Sequence, residues 1–279
     1  MALIYNAVGT MEFTITAVRL ASVNSLDPLF SGGLAIMIVV IGFKLALVPF
    51  HLWTPDVYQG APAPVTVLIA SISKGSMFGV WLRFYTILDG GQYASLITIF
   101  SVVAIASMLL GNLLALLQDN VKRVLAYSSI AHLGYILVGF LASSNLGAQA
   151  ATFYLIAYFI TTLGSFGIIA VMSSGGEEDA EDISNYEGLF WTRPLLALVF
   201  TAMLLSLAGI PLTAGFIGKY YVLTSGIDSD LWYLVITLVA GSAIGLYYYL
   251  RIIAVMFRPS PEANLLKPQF NAFNTLALA

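Results

Sequence analysis

The sequence contains no cysteine, which excludes disulfides, iron–sulfur ligation and thiol catalysis. It has two histidines, His51 and His132, too few for most haem arrangements or a histidine-rich metal site. Charge is equally scarce. Only 9% of the 279 residues are charged, against roughly a quarter in soluble domains. A net charge of −3 leaves no basic patch for nucleic acid and no polybasic lipid-binding cluster. Redox chemistry and nucleic-acid binding are therefore not expected of this chain.

What remains is apolar. With 59% hydrophobic residues and a mean hydropathy of +0.92, the chain reads as an all-α polytopic membrane protein with the lipid bilayer as its solvent. About seven complete transmembrane helices are expected within one membrane domain, residues 1–279. Residues 1–9 look like the end of a truncated span, without the basic region and cleavage site of a signal peptide. Five spans lie in 31–172, at about 31–52, 62–88 and 93–117, then one that follows a tight turn at Asp119, Lys122 and Arg123, and one at about 148–172. An acidic loop, 173–193, carries Glu177, Glu178, Asp179, Glu181 and Asp182 and is expected in water. Two more spans fill 194–257, and 258–279 reads as a loop followed by the start of another truncated span. Lys122, Arg123, Arg193, Arg258 and Lys267 fall on one side and mainly Arg19 and Arg83 on the other, so the first side is expected to be cytoplasmic.

Two of the spans are interrupted. The first holds Lys44 five residues before Pro49, and the sixth holds Gly209, Pro211 and then Lys219. A lysine at membrane depth costs about 2.5 to 3.5 kcal/mol on insertion scales, so something must satisfy or use it. A proline frees backbone carbonyls that can do part of this. Lys44 lies roughly eight residues, or ~12 Å, from the nearer end of its expected span, beyond comfortable snorkelling. Two broken helices point to internal repeats and a mid-membrane site. In the first the lysine precedes its proline and in the second it follows, so spacing alone leaves an inverted repeat open.

Lys44, Lys74, His132 and Lys219 each fall near the centre of a different span. Polar stripes accompany them: Ser101 and Asn112; Ser128, Ser129, His132 and Tyr135; Tyr154, Tyr158, Thr161, Thr162 and Ser165. Such a row suits proton transfer, because a buried lysine switches between holding and releasing a proton as a carboxylate approaches or leaves. The alternatives are snorkelling or structurally paired lysines and a packing histidine bonded to a serine. His51 and Tyr127 are secondary candidates. His51 would share the face of Lys44 in a straight helix, which Pro49 interrupts, and Tyr127 reads either as an interface anchor or as a relay. No acidic residue lies deep within any complete span, so a partner charge for Lys44 is expected outside this chain.

The segment Gly42 to Pro64, with Phe43-Lys44-Leu45-Ala46-Leu47-Val48-Pro49-Phe50-His51-Leu52-Trp53-Thr54-Pro55-Asp56-Val57-Tyr58-Gln59-Gly60-Ala61-Pro62-Ala63-Pro64, resembles the subunit N family of bacterial respiratory complex I. So do Lys122-Arg123 through His132-Leu133-Gly134-Tyr135, Leu207-Ala208-Gly209-Ile210-Pro211 through Lys219, and Gly241 through Arg251. The resemblance implies the second half and part of the first half of an antiporter-like fold with inverted repeats, the first span here matching the family's seventh helix and the last complete one its thirteenth. It implies a proton-translocating, non-redox subunit of an NADH:quinone oxidoreductase in the bacterial inner membrane, driven by quinone reduction in other subunits. NADH, FMN, iron–sulfur clusters and quinone are then expected in partner subunits. By the same resemblance Lys44 is the key lysine, Lys74 a connecting lysine, His132 part of a central hydrophilic axis and Lys219 the lysine of the second half-channel. The family's carboxylate partner of Lys44 lies on a helix preceding the start of this sequence. A cation/proton antiporter subunit and a structural membrane scaffold are the competing readings.

Overall fold

The computed structural model describes residues 2–10, 12, 15, 28–87, 93–142, 145–173 and 180–259. Arg19, Asp27, Asp89, Glu177, Glu178, Asp179, Lys267 and the expected final span fall outside the described residues.

The described residues form eleven α-helices: α1 (Ala2–Val8), α2 (Pro28–Leu45), α3 (Trp53–Gly60), α4 (Ala63–Ile87), α5 (Ala94–Leu116), α6 (Val121–Leu141), α7 (Asn145–Ser173), α8 (Leu189–Thr192), α9 (Pro194–Ala208), α10 (Ala214–Asp228) and α11 (Trp232–Met256). Of these, α4, α5, α6, α7 and α11 are each long and apolar enough to cross a membrane, and α2 and α9 are shorter apolar helices. The two short ones are the leading halves of the interrupted spans. Five spanning helices and two shorter apolar ones among the described residues agree roughly with the expected number of about seven.

α6 is the central pillar. Nearly all of its residues are buried, and it packs against α3, α5, α7, α10 and α11. Polar residues are buried with the apolar ones, Lys122, Ser128, Ser129 and His132 among them. Its close approach to α5 depends on small residues. A Cβ on Gly111 would lie 2.7 Å from the Ala131 nitrogen, and one on Gly134 would lie 3.0 Å from the Ala104 oxygen, so the two backbones touch there. The residue Asn120 starts α6 by accepting the Arg123 backbone N–H at 3.0 Å.

The first interruption comes earlier than the sequence suggests. α2 stops at Leu45, so Lys44 lies in its last turn instead of several residues inside a longer span. Ala46 takes the left-handed conformation at φ 60°. Pro49 has no N–H to extend the ladder. The freed groups find other partners: Trp53 Nε1 donates to the Phe43 carbonyl at 3.0 Å, and the Val48 N–H donates to Ser107 Oγ at 3.0 Å. The chain then resumes as α3 and turns back through Pro62 and Pro64 into α4, whose first turn tolerates proline. α4 contains a π-helical stretch, Ile69–Ser73, that ends directly before Lys74. Such bulges frequently mark functional positions in helices.

Candidate functional site

The second interruption builds a cation pocket from backbone. α9 ends at Gly209, which adopts φ 82°, and Pro211 prevents the helix from continuing through the turn. The carbonyls of the last turn therefore lack helical partners and carry the negative end of the helix dipole. Lys219, one turn into α10, donates to two of them, the Leu207 oxygen at 3.1 Å and the Ala208 oxygen at 2.9 Å. Its third partner is Ser242 Oγ on α11 at 2.9 Å. The Tyr135 ring covers the ammonium with its centroid 5.2 Å away. An open cavity of about 270 Å³ adjoins this group, lined by Gly209, Phe216, Lys219, Tyr220 and Ser242 among others.

Tyr135 connects this pocket to His132. The two rings meet edge to face at 5.5 Å. His132 is saturated by phenols, with Nδ1 2.7 Å from the Tyr154 hydroxyl on α7 and Nε2 3.1 Å from the Tyr249 hydroxyl on α11. Tyr158 stacks on the imidazole at 5.4 Å. One turn further along α6, Ser129 Oγ accepts from Lys74 Nζ at 2.6 Å. The Tyr58 ring of α3 lies 5.2 Å from the same ammonium, a cation–π contact. Tyr58 and Tyr158 share Ser129 as a polar neighbour, while neither hydroxyl makes a hydrogen bond of normal geometry.

Lys74, His132 and Lys219 are thus brought together, all buried and all served by neutral partners. Their donors and acceptors come from α6, α7, α9 and α11, with Tyr58 of α3 beneath Lys74. Ser128, Ser129 and Tyr135 lie on the buried stripe of α6 as expected, and so do Tyr154, Tyr158, Thr161, Thr162 and Ser165 on α7. Ser101 and Asn112 both face α11, through Tyr233 at 3.1 Å and Tyr248 at 3.0 Å. Gly241 makes room there, since a Cβ on it would lie 2.9 Å from Asn112 Nδ2.

Lys44 is the exception. Its side chain is exposed, on a face of α2 shared with Ile36, Val40 and Phe43. The Phe43 carbonyl at the break accepts the Ala46 N–H at 3.0 Å and Trp53 Nε1 at 3.0 Å. His51 is buried and Lys44 is not, so the two do not share a face; His51 Nδ1 and its neighbour Thr54 Oγ1 are buried without hydrogen-bond partners. Tyr127 packs against the small apolar cluster of Ala46, Val48 and Ile130.

Three contributors escaped sequence reasoning. Tyr58, Tyr249 and Ser242 give no signal in an apolar helix, where tyrosine and serine are ordinary residues; only their contacts reveal them. The acidic stretch also needs correction. Its described part, residues 180–182, is not simply a solvated loop, because Glu181 pairs with the buried Lys122 at 3.4 Å.

The chain is similar to proteins of known naming. Residues 1–245 match the family model described as NADH:quinone oxidoreductase/Mrp antiporter, TM. NADH-quinone oxidoreductase subunit N of Nitrosospira multiformis is 54% identical over 276 residues, 94% of this chain and 54% of that protein. The subunit N of Ectopseudomonas mendocina is 51% identical over 265 residues, 95% of this chain and 53% of that protein. The chain spans about half the length of these relatives. A chain of respiratory complex I from Thermus thermophilus with bound aureothin superposes with a TM-score of 0.80 at 33% identity, covering 99% of this chain and 59% of that one. Since the family model spans most of the sequence and the broken-helix fold agrees with it, the chain belongs to the NADH:quinone oxidoreductase/Mrp antiporter transmembrane family.

Proposed function

We propose that this chain forms the proton-conducting part of a non-redox membrane subunit of a bacterial NADH:quinone oxidoreductase, with protons moving along Lys74, His132 and Lys219. The observation that carries the reading is the row itself: two lysines and a histidine, buried at successive positions and served by serine, tyrosine and backbone oxygens. A lysine fixed to a carboxylate holds its proton too firmly to hand it on, whereas one held by neutral oxygens responds to a distant charge. Ser129 and Tyr158 lead from Lys74 toward His132, and Tyr135 bridges His132 to Lys219.

In this reading Lys44 is the switch at the head of the row. Its exposed face of α2 meets a carboxylate supplied by a segment outside these residues, and movement of that carboxylate changes the charge that Lys74 experiences. NADH, FMN, iron–sulfur clusters and quinone belong to partner subunits, which supply the free energy. Other membrane subunits of complex I pack around the chain in the inner membrane. A second reading, a cation/proton antiporter subunit, is favoured by the Lys219 pocket, since half-helix carbonyl ends coordinate cations in transporters.

The test replaces Lys44 by Ala in the full-length protein and follows NADH-driven proton uptake into vesicles. A large fall in uptake supports the reading, and undiminished pumping sinks it. Sodium transport without NADH dependence would instead support the antiporter. Normal pumping by Lys74→Leu and Lys219→Leu variants, given a fully assembled complex, would leave only a scaffold.

A further inference from the structure

A second cluster of ionisable groups lies away from the proton row, where α3 ends, α6 begins and residues 180–186 cross between them. Lys122, in the first turn of α6, has a side chain only 1% exposed. It donates to the carbonyl oxygens of Gln59 and Ala61, 3.1 Å each, the first in the last turn of α3 and the second at its C-cap. A cation at that end complements the helix dipole. Burying it still needs a counter-charge, because a lone desolvated ammonium costs several kcal/mol.

Glu181 supplies that charge and does more. One carboxylate oxygen lies 3.4 Å from Lys122 Nζ, and the other accepts from Gln59 Nε2 at 3.0 Å and Asn120 Nδ2 at 2.7 Å. The backbone on either side is pinned as well: the Val121 N–H donates to the Glu181 carbonyl at 2.6 Å, and the Ile183 N–H to the Asp119 carbonyl at 3.0 Å. Tyr186, fully buried, donates to the Ala180 carbonyl at 2.8 Å. Arg123 adds a parallel tie from α6 to α3 through Asp56 at 2.9 Å and Gln59 at 3.0 Å. Glu181, Lys122 and Arg123 together thus fasten the end of α3 to the start of α6.

Tyr58 is the residue before Gln59. It is fully buried, with its ring against the Lys74 ammonium and edge-on to Phe166 at 5.8 Å. Any slip of the last turn of α3 therefore moves the ring that covers Lys74. We propose that Lys122 and Glu181 form a clamp that positions Tyr58 over the Lys74 ammonium, which makes both of them positioning residues for proton transfer and ties the acidic segment to the proton route. The proposal rests on the function proposed above. It assigns a purpose to a buried lysine and an acidic segment that the proton row leaves unused.

The experiment compares Glu181→Gln, Tyr58→Leu, the double variant and Lys74→Ala in the full-length protein within its membrane complex. The readouts are NADH-driven proton uptake and its pH profile. A clamp acting through Tyr58 predicts that each single substitution lowers uptake by roughly two- to thirty-fold, the range of a cation–π contact. It predicts that both displace the pH profile by the same amount, and that the double variant is no worse than the weaker single one. Losses that multiply in the double variant, or a pH profile that Glu181→Gln leaves unmoved, overturn the clamp while Lys74→Ala still abolishes uptake. Unchanged uptake in Lys74→Ala overturns the underlying function, and the clamp with it. If Glu181→Gln fails to assemble, Lys122→Arg, which keeps the charge, carries the same comparison.

Discussion

The ammonium of Lys219 lies 2.9 Å from the carbonyl oxygen of Ala208, the last residue of α9 before the chain breaks. The break thus provides the partner for the buried charge. Carbonyls freed at a helix C-terminus offer concentrated negative potential without a titrating group. Such a partner holds the lysine in place while leaving its proton free to respond to charges elsewhere. At the break after Lys44 the Phe43 carbonyl instead accepts the Ala46 N–H and Trp53 Nε1, while the Lys44 side chain is exposed.

Gly209 carries the geometry of that pocket. It sits at φ 82°, and a Cβ there would lie 2.9 Å from Lys219 Cδ. Gly209→Ala is expected to cost about 1–2 kcal/mol from the left-handed backbone alone, and to push the lysine off its carbonyls. Thermal unfolding in detergent should show a lowered midpoint, and proton uptake should fall with it. Native uptake in Gly209→Ala would show that the pocket tolerates displacement of the lysine.

The two phenols on His132 should not be equivalent to inert packing. Tyr154→Phe removes the partner 2.7 Å from Nδ1 and Tyr249→Phe the one 3.1 Å from Nε2. Each leaves a buried ring nitrogen without a hydrogen bond, a loss of about 1–3 kcal/mol. Both variants are expected to slow proton uptake, and His132→Ala to slow it most. Uptake assays at matched complex content compare them directly.

Asn112 joins three helices through Tyr135 at 2.8 Å and Tyr248 at 3.0 Å while donating to the Met108 carbonyl at 2.6 Å. Asn112→Leu keeps the volume but strands two buried hydroxyls, so it should destabilise the protein by about 2–4 kcal/mol in all. Because Tyr135 also covers Lys219, uptake should fall too. A thermal midpoint equal to the native one would contradict this.

Ser107 holds the first break by accepting the Val48 N–H at 3.0 Å in a buried setting. Ser107→Ala leaves that N–H unpartnered, at a cost of about 1–3 kcal/mol. Hydrogen exchange should report it as faster exchange at residues 46–50 than in the native protein, with the α5 and α6 amides unaffected.

The lysines were legible in the sequence because charge inside an apolar helix is expensive and therefore conspicuous. The two breaks were legible because Pro49, Gly209 and Pro211 cannot continue a helix. Periodicity also placed Ser129, His132 and Tyr135 on one face correctly. It is silent about which face a neighbouring helix covers, and Lys44 lies on a face of α2 that is exposed among the described residues. Tyr58 and Tyr249 were hidden for the opposite reason: an aromatic residue in an apolar helix looks like core until its hydroxyl or ring is seen against a charge. Glu181 was hidden by its acidic neighbours. Only a contact across about sixty residues of sequence, with Lys122 and Asn120, distinguishes it from a solvated side chain.

The central claim is that protons pass along Lys74, His132 and Lys219. NADH-driven proton uptake into vesicles, measured for Lys74→Met and Lys219→Met in the full-length protein at equal complex content, tests it most directly. The account predicts that each substitution lowers uptake by about tenfold or more, since a positioned proton-transfer group contributes on that scale or above. Uptake equal to the native protein in either variant would contradict it.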